Sequence, residues 1–431
     1  ATLRITPDHE KKVTLSPGDQ EVEIPIPAGD TERRVIAELI LAEEVVDSTE
    51  YDVPPARKWD VYILPHSHVD IGYTQLQSVV EKLHWDYFEQ AIVWARETAN
   101  DPEGSRFKWN VEVLWAVDSY LRQASEEKRK EFFDAVNKGW IGLDALYGNE
   151  LTGLCRPEEF VRLTDCAVRL EKEYGVEIDS AMISDVPGYS WGIVPVLAHS
   201  GVDYLSIGSN RSARLGFTLT AWGDRPFYWV SQSGQEKILA WVAGEGYSWF
   251  HHGRVEDDER ILLHIEKLVD RGYPYDVLQV RYSIGGDNGP PDRGLCDYVR
   301  KWNEKYAYPR LHIATTSEAM HAFEERHGKE IPAFAGDFTP YWEDGAASSA
   351  LETALNREAA ERLSQGEALW AILDPMNFPD EDYYQAWRNV ILYDEHTWGA
   401  HTSISQPDTE FTLGQWRIKQ AFALDADQQS K

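Results

Sequence analysis

Three side chains able to hold a metal ion stand two residues apart in Pro65-His66-Ser67-His68-Val69-Asp70-Ile71-Gly72-Tyr73. In an extended chain alternate side chains share a face, so His66, His68 and Asp70 would project together. Imidazole nitrogen and carboxylate oxygen are what a borderline ion such as zinc accepts. A pair of surface histidines near a turn is the plainer reading, but these residues follow directly on the apolar run Val61-Tyr62-Ile63-Leu64, which favours metal binding. A second carboxylate, Asp185, closes the apolar run Ala181-Met182-Ile183 and opens Val186-Pro187-Gly188-Tyr189-Ser190-Trp191, although an Asp before Pro-Gly is more often a turn former. A third run, Val277 to Tyr282, leads into Ser283-Ile284-Gly285-Gly286-Asp287-Asn288-Gly289-Pro290-Pro291. Its glycines would let backbone approach a ligand closely, yet Asp-Asn-Gly is also an ordinary turn. Last, Tyr393-Asp394-Glu395-His396-Thr397-Trp398-Gly399-Ala400-His401 reads as a helix ended by its glycine, where a histidine usually complements the helix dipole.

The elements that must position these residues alternate short apolar strands with helical patterns. Strands are expected at Val61-Leu64, Ala181-Ile183, Tyr204-Ile207, Ile238-Trp241, Val277-Val280 and His312-Ala314, with helices over 79–98, 126–137 and 256–271. Repeated βα units favour an α/β fold, a (β/α)7-type barrel-like sheet whose reactive residues sit at the carboxyl ends of its strands. Residues 1–57 read as a small β-rich segment, alternating at Glu21-Ile26 and Arg34-Ile40 and ending at Pro54-Pro55. The catalytic unit then spans 58–333. Beyond Pro340 helices over 348–372, 381–394 and 411–424 suggest a three-helix bundle occupying 334–431.

Lys and Arg number 42 against 73 Asp and Glu, a formal charge of −31 that would repel phosphate backbones and anionic membranes. Nucleic acid and membrane are therefore not expected partners, while self-association as a homo-oligomer stays open. Cys155, Cys166 and Cys296 are too few for a disulfide framework and fit no zinc-ligand spacing. With Ala first and no apolar leader or spanning segment, the expectation is a processed or trimmed soluble chain, secreted or periplasmic in preference to cytoplasmic. The 17 Trp and 21 Tyr suit stacking on the apolar faces of sugar rings, though core packing would use them equally.

Taken in order, the four segments resemble the family 38 glycoside hydrolases, the retaining α-mannosidases, across nearly all of residues 58–425. The opening signature His-x-His-x-Asp-x-Gly-aromatic stands here as His66 to Tyr73, and the nucleophile segment as Asp185 to Ser190 with Pro195 and Gly201-Val202 beyond. Gly286-Asp287-Asn288-Gly289-Pro290 and Asp394-Glu395-His396-Thr397-Trp398-Gly399 resemble its other two landmarks. The resemblance implies a carbohydrate substrate and a zinc held by His68, Asp70, Asp185 and His396, with His401 in reserve. It further implies Asp185 as metal ligand and nucleophile, Asp287 as general acid with Asp292 or Glu245 as substitutes, and Tyr73, His66, Tyr189 and Trp398 around the sugar. This sequence departs from the family in carrying Tyr73 where Trp is usual, in its Pro290-Pro291 loop, and in stopping at Lys431 before the usual β-sandwich domains. Rival readings are a metal-dependent lyase or deacetylase, for which Arg156, Arg211 and Arg281 could bind uronates, and a non-catalytic sugar-binding relative.

Overall fold

The computed structural model describes the chain apart from residues 7–8, 212–216, 258 and 339–341. Pro340, where the sequence turns helical, lies outside the described residues. Four antiparallel strands open the chain: β1 (Thr2–Ile5), β2 (His9–Lys12), β3 (Arg33–Leu41) and β4 (Glu44–Val53), in the order β2-β1-β3-β4. The alternation at Arg34-Ile40 is thus strand, but Glu21-Ile26 is not, because Pro25 and Pro27 remove the amide donors a ladder needs.

The remaining strands are β5 (Asp60–Pro65), β6 (Trp109–Val111), β7 (Ile141–Leu143), β8 (Ser180–Asp185), β9 (Tyr204–Ser209), β10 (Phe227–Val230), β11 (Lys237–Val242), β12 (Val277–Tyr282), β13 (Arg310–Ile313) and β14 (Ala333–Ala335). The described strands form three hydrogen-bonded groups: β14-β10-β11-β9-β8, β12-β5-β13 and β6-β7. All pairs are parallel except β10 with β11. A single bridge between His66 and Asn110 joins the β5 and β6 groups. Every residue of β8, β9 and β12 is buried, as expected of parallel strands covered on both faces, so their apolar runs are continuous rather than alternating.

β5 leads into the His-x-His-x-Asp segment, β8 ends on Asp185, and β12 leads into the Asp287 loop. In register, Tyr282 at the end of β12 faces Pro65 at the end of β5, which brings their two loops side by side. Six expected strands are present; β6, β7, β10 and β14, three or four residues each, are too short to carry a periodic signal.

After the last strand the long helices Ala350–Leu373, Asp380–Asp394 and Glu410–Gln429 pack on one another. Ala359, Ala360, Ala386 and Ala426 line their seam, small enough for close approach, with Trp387 filling it. Among the described residues, no helix is long and apolar enough to cross a membrane.

Candidate active site

His68, Asp70, Asp185 and His396 converge, each offering one ligand-type atom within 4.8 Å of all the others, and all four are buried. His396 Nε2 lies 3.0 Å from Asp70 Oδ1 and 3.6 Å from Asp185 Oδ2, and His68 Nε2 is 3.4 Å from Asp70 Oδ1. Each ring is held from behind. His68 Nδ1 sits 2.9 Å from Glu112 Oε1, and His396 Nδ1 sits 2.6 Å from Glu395 Oε1. His68 Nδ1 is hydrogen-bonded to its carboxylate and His396 Nδ1 lies close to its own without a well-aligned bond; both rings present Nε2 to the centre, buried without a hydrogen-bond partner. Two bare imidazole nitrogens facing two carboxylates are the donor set of a divalent cation. Electrostatics agree: although burial favours the neutral ring, Glu395 and Asp70 raise His396 to about 10, so the centre is short of positive charge.

Local backbone explains the aim. Asp185 adopts φ 67°, a left-handed turn that swings the strand end away and exposes its carboxylate to the cluster, with Asn210 Nδ2 donating to Oδ1. Asn288, also left-handed at φ 56°, locks the β12 loop to the β5 loop: it donates from its backbone to His68 O at 2.8 Å and accepts from Asp70 N at 3.2 Å. Gly289 is required beside it, since a Cβ there would fall 1.8 Å from Ile284 O. His396 departs from expectation in one respect. The helix ends at Asp394 and Glu395 is already extended, so His396 stands on the loop beyond the helix, pinned by its N–H to Asn149 O at 2.9 Å; Gly399 ends nothing.

The other expected site residues divide. Asp287 borders the cluster with its side chain about a quarter exposed, Tyr247 donating weakly to it at 3.5 Å, and burial with the Asp70 charge raises its carboxyl to about 6. Asp292 is instead buried beneath Tyr282, whose hydroxyl donates to it at 2.7 Å, and Glu245 is taken by Arg211 and His264, so neither is free to act as the acid. Tyr73 remains 40% exposed with its ring in the field of Asp70, Asp287 and Asp185. His66 and Tyr189 cannot meet a sugar: His66 accepts from Arg281 Nε at 3.2 Å and packs against Glu112, while Tyr189 donates to Val186 O at 3.0 Å, both 1% exposed. Trp398 is turned inward, its indole donating to Ser349 Oγ at 2.9 Å beneath Lys419. His401 lies apart, against the Tyr73 carbonyl at 3.0 Å. Of the three arginines that a uronate lyase could use, Arg281 is buried on Glu112, while Arg156 is paired with Glu361 and Arg211 with Glu245.

Glu112 went unnoticed in the sequence. It gathers His68, His66, Arg281, Ser184 Oγ, Asn149 Nδ2 and the Val69 amide around one buried carboxylate. Its stretch, Trp109-Asn110-Val111-Glu112-Val113-Leu114, has apolar residues on both sides of the acid and no turn residues after it, so nothing local offered the strand-end signal that marked Asp185. Tyr247, whose ring lies 4.5 Å from His68, gave no such signal.

Residues 58–343 match the family model described as the glycosyl hydrolases family 38 N-terminal domain. No curated protein sequence matches the chain. Among solved structures, an alpha-mannosidase from Enterococcus faecalis V583 superposes with a TM-score of 0.64 at 16% identity, covering 86% of this chain and 42% of that one. A second Enterococcus faecalis protein in glycosyl hydrolase family 38 gives 0.55 at 16% identity over 86% and 39%. A GH57 branching enzyme from the archaeon Thermococcus kodakaraensis gives 0.53 at 10% identity over 86% and 88%. At such identities the likeness is one of fold, and the chain spans about two fifths of the length of the first two.

Proposed function

The chain belongs to glycosyl hydrolase family 38, and from that premise we propose that it hydrolyses α-linked glycosides, α-mannosides foremost, by a zinc-dependent retaining reaction. The reading is carried by the convergence of His68, Asp70, Asp185 and His396 with both Nε2 atoms bare. Two imidazoles and two carboxylates suit zinc in type and number. Bound there, zinc supplies a fixed positive charge that orients the sugar hydroxyls.

The chain's own side chains do the rest. The Tyr73 ring offers the sugar an apolar platform. An Asp185 oxygen attacks the anomeric carbon as the glycosidic C–O bond breaks, and the Asp287 proton passes to the departing oxygen, leaving a glycosyl ester on Asp185. Asp287, now a carboxylate, takes a proton from water as that water's oxygen displaces Asp185, restoring both acids with retained configuration. Glu112 acts from behind by holding the His68 ring, and His66 by packing on Glu112. In the same reading residues 58–333 are a barrel-like catalytic unit, 1–57 its β-rich leader and 334–431 a three-helix bundle that delivers His396. The partner is carbohydrate, not nucleic acid or membrane, and a homo-oligomer is compatible with it. NMR of the first-formed product tests the reaction class: α-anomer is expected, and β-anomer from an α-glycoside would refute retention.

Two outcomes concern Asp287. Asp287→Ala should lower kcat on natural glycosides by roughly 10²-fold or more, and much less on substrates whose leaving group needs no proton. Equal losses on both would move the acid elsewhere. Because its carboxyl is raised to about 6 and works protonated, kcat/KM on natural substrates should fall as pH rises through that value. The falling limb should vanish in Asp287→Ala; a limb unchanged in the variant would belong to another group.

A further inference from the structure

A second group of buried acids lies behind the catalytic cluster. Glu159 stands on the short helix Pro157–Arg162, Cys155 just before it, and Asp394 ends the helix Asp380–Asp394; the Cys155 sulfur and one oxygen of each acid lie within 4.8 Å of one another. Glu159 is 1% and Asp394 2% exposed. Glu159 spends Oε2 on the Arg156 amide at 2.6 Å, but its Oε1 and both Asp394 carboxylate oxygens are buried without hydrogen-bond partners. Both oxygens of neighbouring Glu150 are equally unpartnered. Two nearby cations, Lys419 and Arg357, act on Asp394 through charge, but Lys419 Nζ donates to the carbonyls of Leu392 and Glu395 at 3.0 and 2.7 Å, and its closest carboxylate, 3.8 Å away, is that of Glu395. A native interior does not leave several carboxylate oxygens dry and unpaired: they are answered either by protons shared between neighbouring carboxyl groups or by a cation among them.

We propose that Cys155, Glu159 and Asp394 hold a second divalent cation, a structural zinc separate from the catalytic centre. A sulfur beside two carboxylates selects a borderline ion over the hard calcium or magnesium. The ion would tie the helix Pro157–Arg162 to the end of the helix Asp380–Asp394, two residues before His396, and so fix the loop that completes the catalytic centre. Burial and the Asp394 charge push Glu159 up to about 9, in keeping with a site short of positive charge. The rival is a pair of carboxyl groups sharing protons.

Cobalt(II) exchanged into the full chain separates the two, because a thiolate ligand produces a near-ultraviolet charge-transfer band that imidazoles and carboxylates do not. Neither Cys166 nor Cys296 belongs to a metal-like grouping among the described residues. Two cobalt ions per chain with a thiolate band are expected in the unaltered protein, and one ion without the band in Cys155→Ser. A single ion and no thiolate band in the unaltered protein would overturn the proposal and leave shared protons as the answer; a band surviving in Cys155→Ser would overturn it also. A thiolate band with no hydrolysis of any glycoside would support this site while counting against the catalytic reading, so the two fail separately.

Discussion

Asp185→Asn should lower kcat by roughly 10⁴-fold or more while leaving the fold intact, the separation expected when a nucleophile is lost and not a structural group. Asparagine has the shape of aspartate and tolerates the left-handed φ of 67° at this position, so the end of β8 keeps its course. What changes is charge. A neutral amide cannot form the glycosyl ester, and it would return no anion to the cation proposed for His68, Asp70 and His396. Metal content should therefore fall together with turnover, while the thermal midpoint moves little. Kinetics with an activated aryl glycoside, elemental analysis and a melting curve read the three effects on one sample. A variant both active and metal-replete would remove Asp185 from the mechanism.

Glu112→Ala should damage fold and site at once. The carboxylate is 1% exposed and counters Arg281, itself 1% exposed, at 3.3 Å. Burial opposes ionisation, but His68 and His66 hold Glu112 well below the ordinary carboxylate range, so the wild type carries a full negative charge there. Deleting it strands Arg281 and costs about 3–5 kcal/mol, the usual penalty for an uncompensated buried ion. It also frees the His68 ring, and loss of a carboxylate behind a ligating histidine weakens metal binding by about 10–100-fold. Denaturant unfolding measures the first effect and competition with a chelator the second. Unchanged stability and unchanged metal affinity would mean that the network around Glu112 is incidental.

How much of this was legible depended on whether a residue's role is written locally. His68 and Asp70 announced themselves by following directly on an apolar strand, and Asp185 through its place after a continuous apolar run, because strand termini are written over a few residues; the shared strand face expected of His66, His68 and Asp70 does not form, since β5 stops at Pro65 and His68 and Asp70 stand in the loop beyond. The long helices were legible for the same reason, with Glu126–Asn137 bounded by the Ser125 cap. Glu112, Asn288 and Tyr247 were not, since their roles come from partners such as His68 and Asp70, 40 to more than 200 positions away. His396 was found as a residue but placed wrongly, on a helix; its loop is set by pairing of Glu395 with Glu150, which no local pattern reveals. Tyr189 and the place of His66 beside a sugar were read from motifs that cannot say which of their side chains face inward; a place for His66 behind the metal ligands agrees with its packing on Glu112. Arg281 decides it for His66 by occupying Nε2.

The central claim, a zinc-dependent glycosidase centre built on His68, Asp70, Asp185 and His396, is tested most directly by elemental analysis of the purified chain paired with turnover of nitrophenyl α-mannoside before and after a chelator. Zinc present in the chain, nitrophenol release lost on chelation and release restored by added zinc are the results expected. Release undiminished in protein stripped of all metal would contradict it.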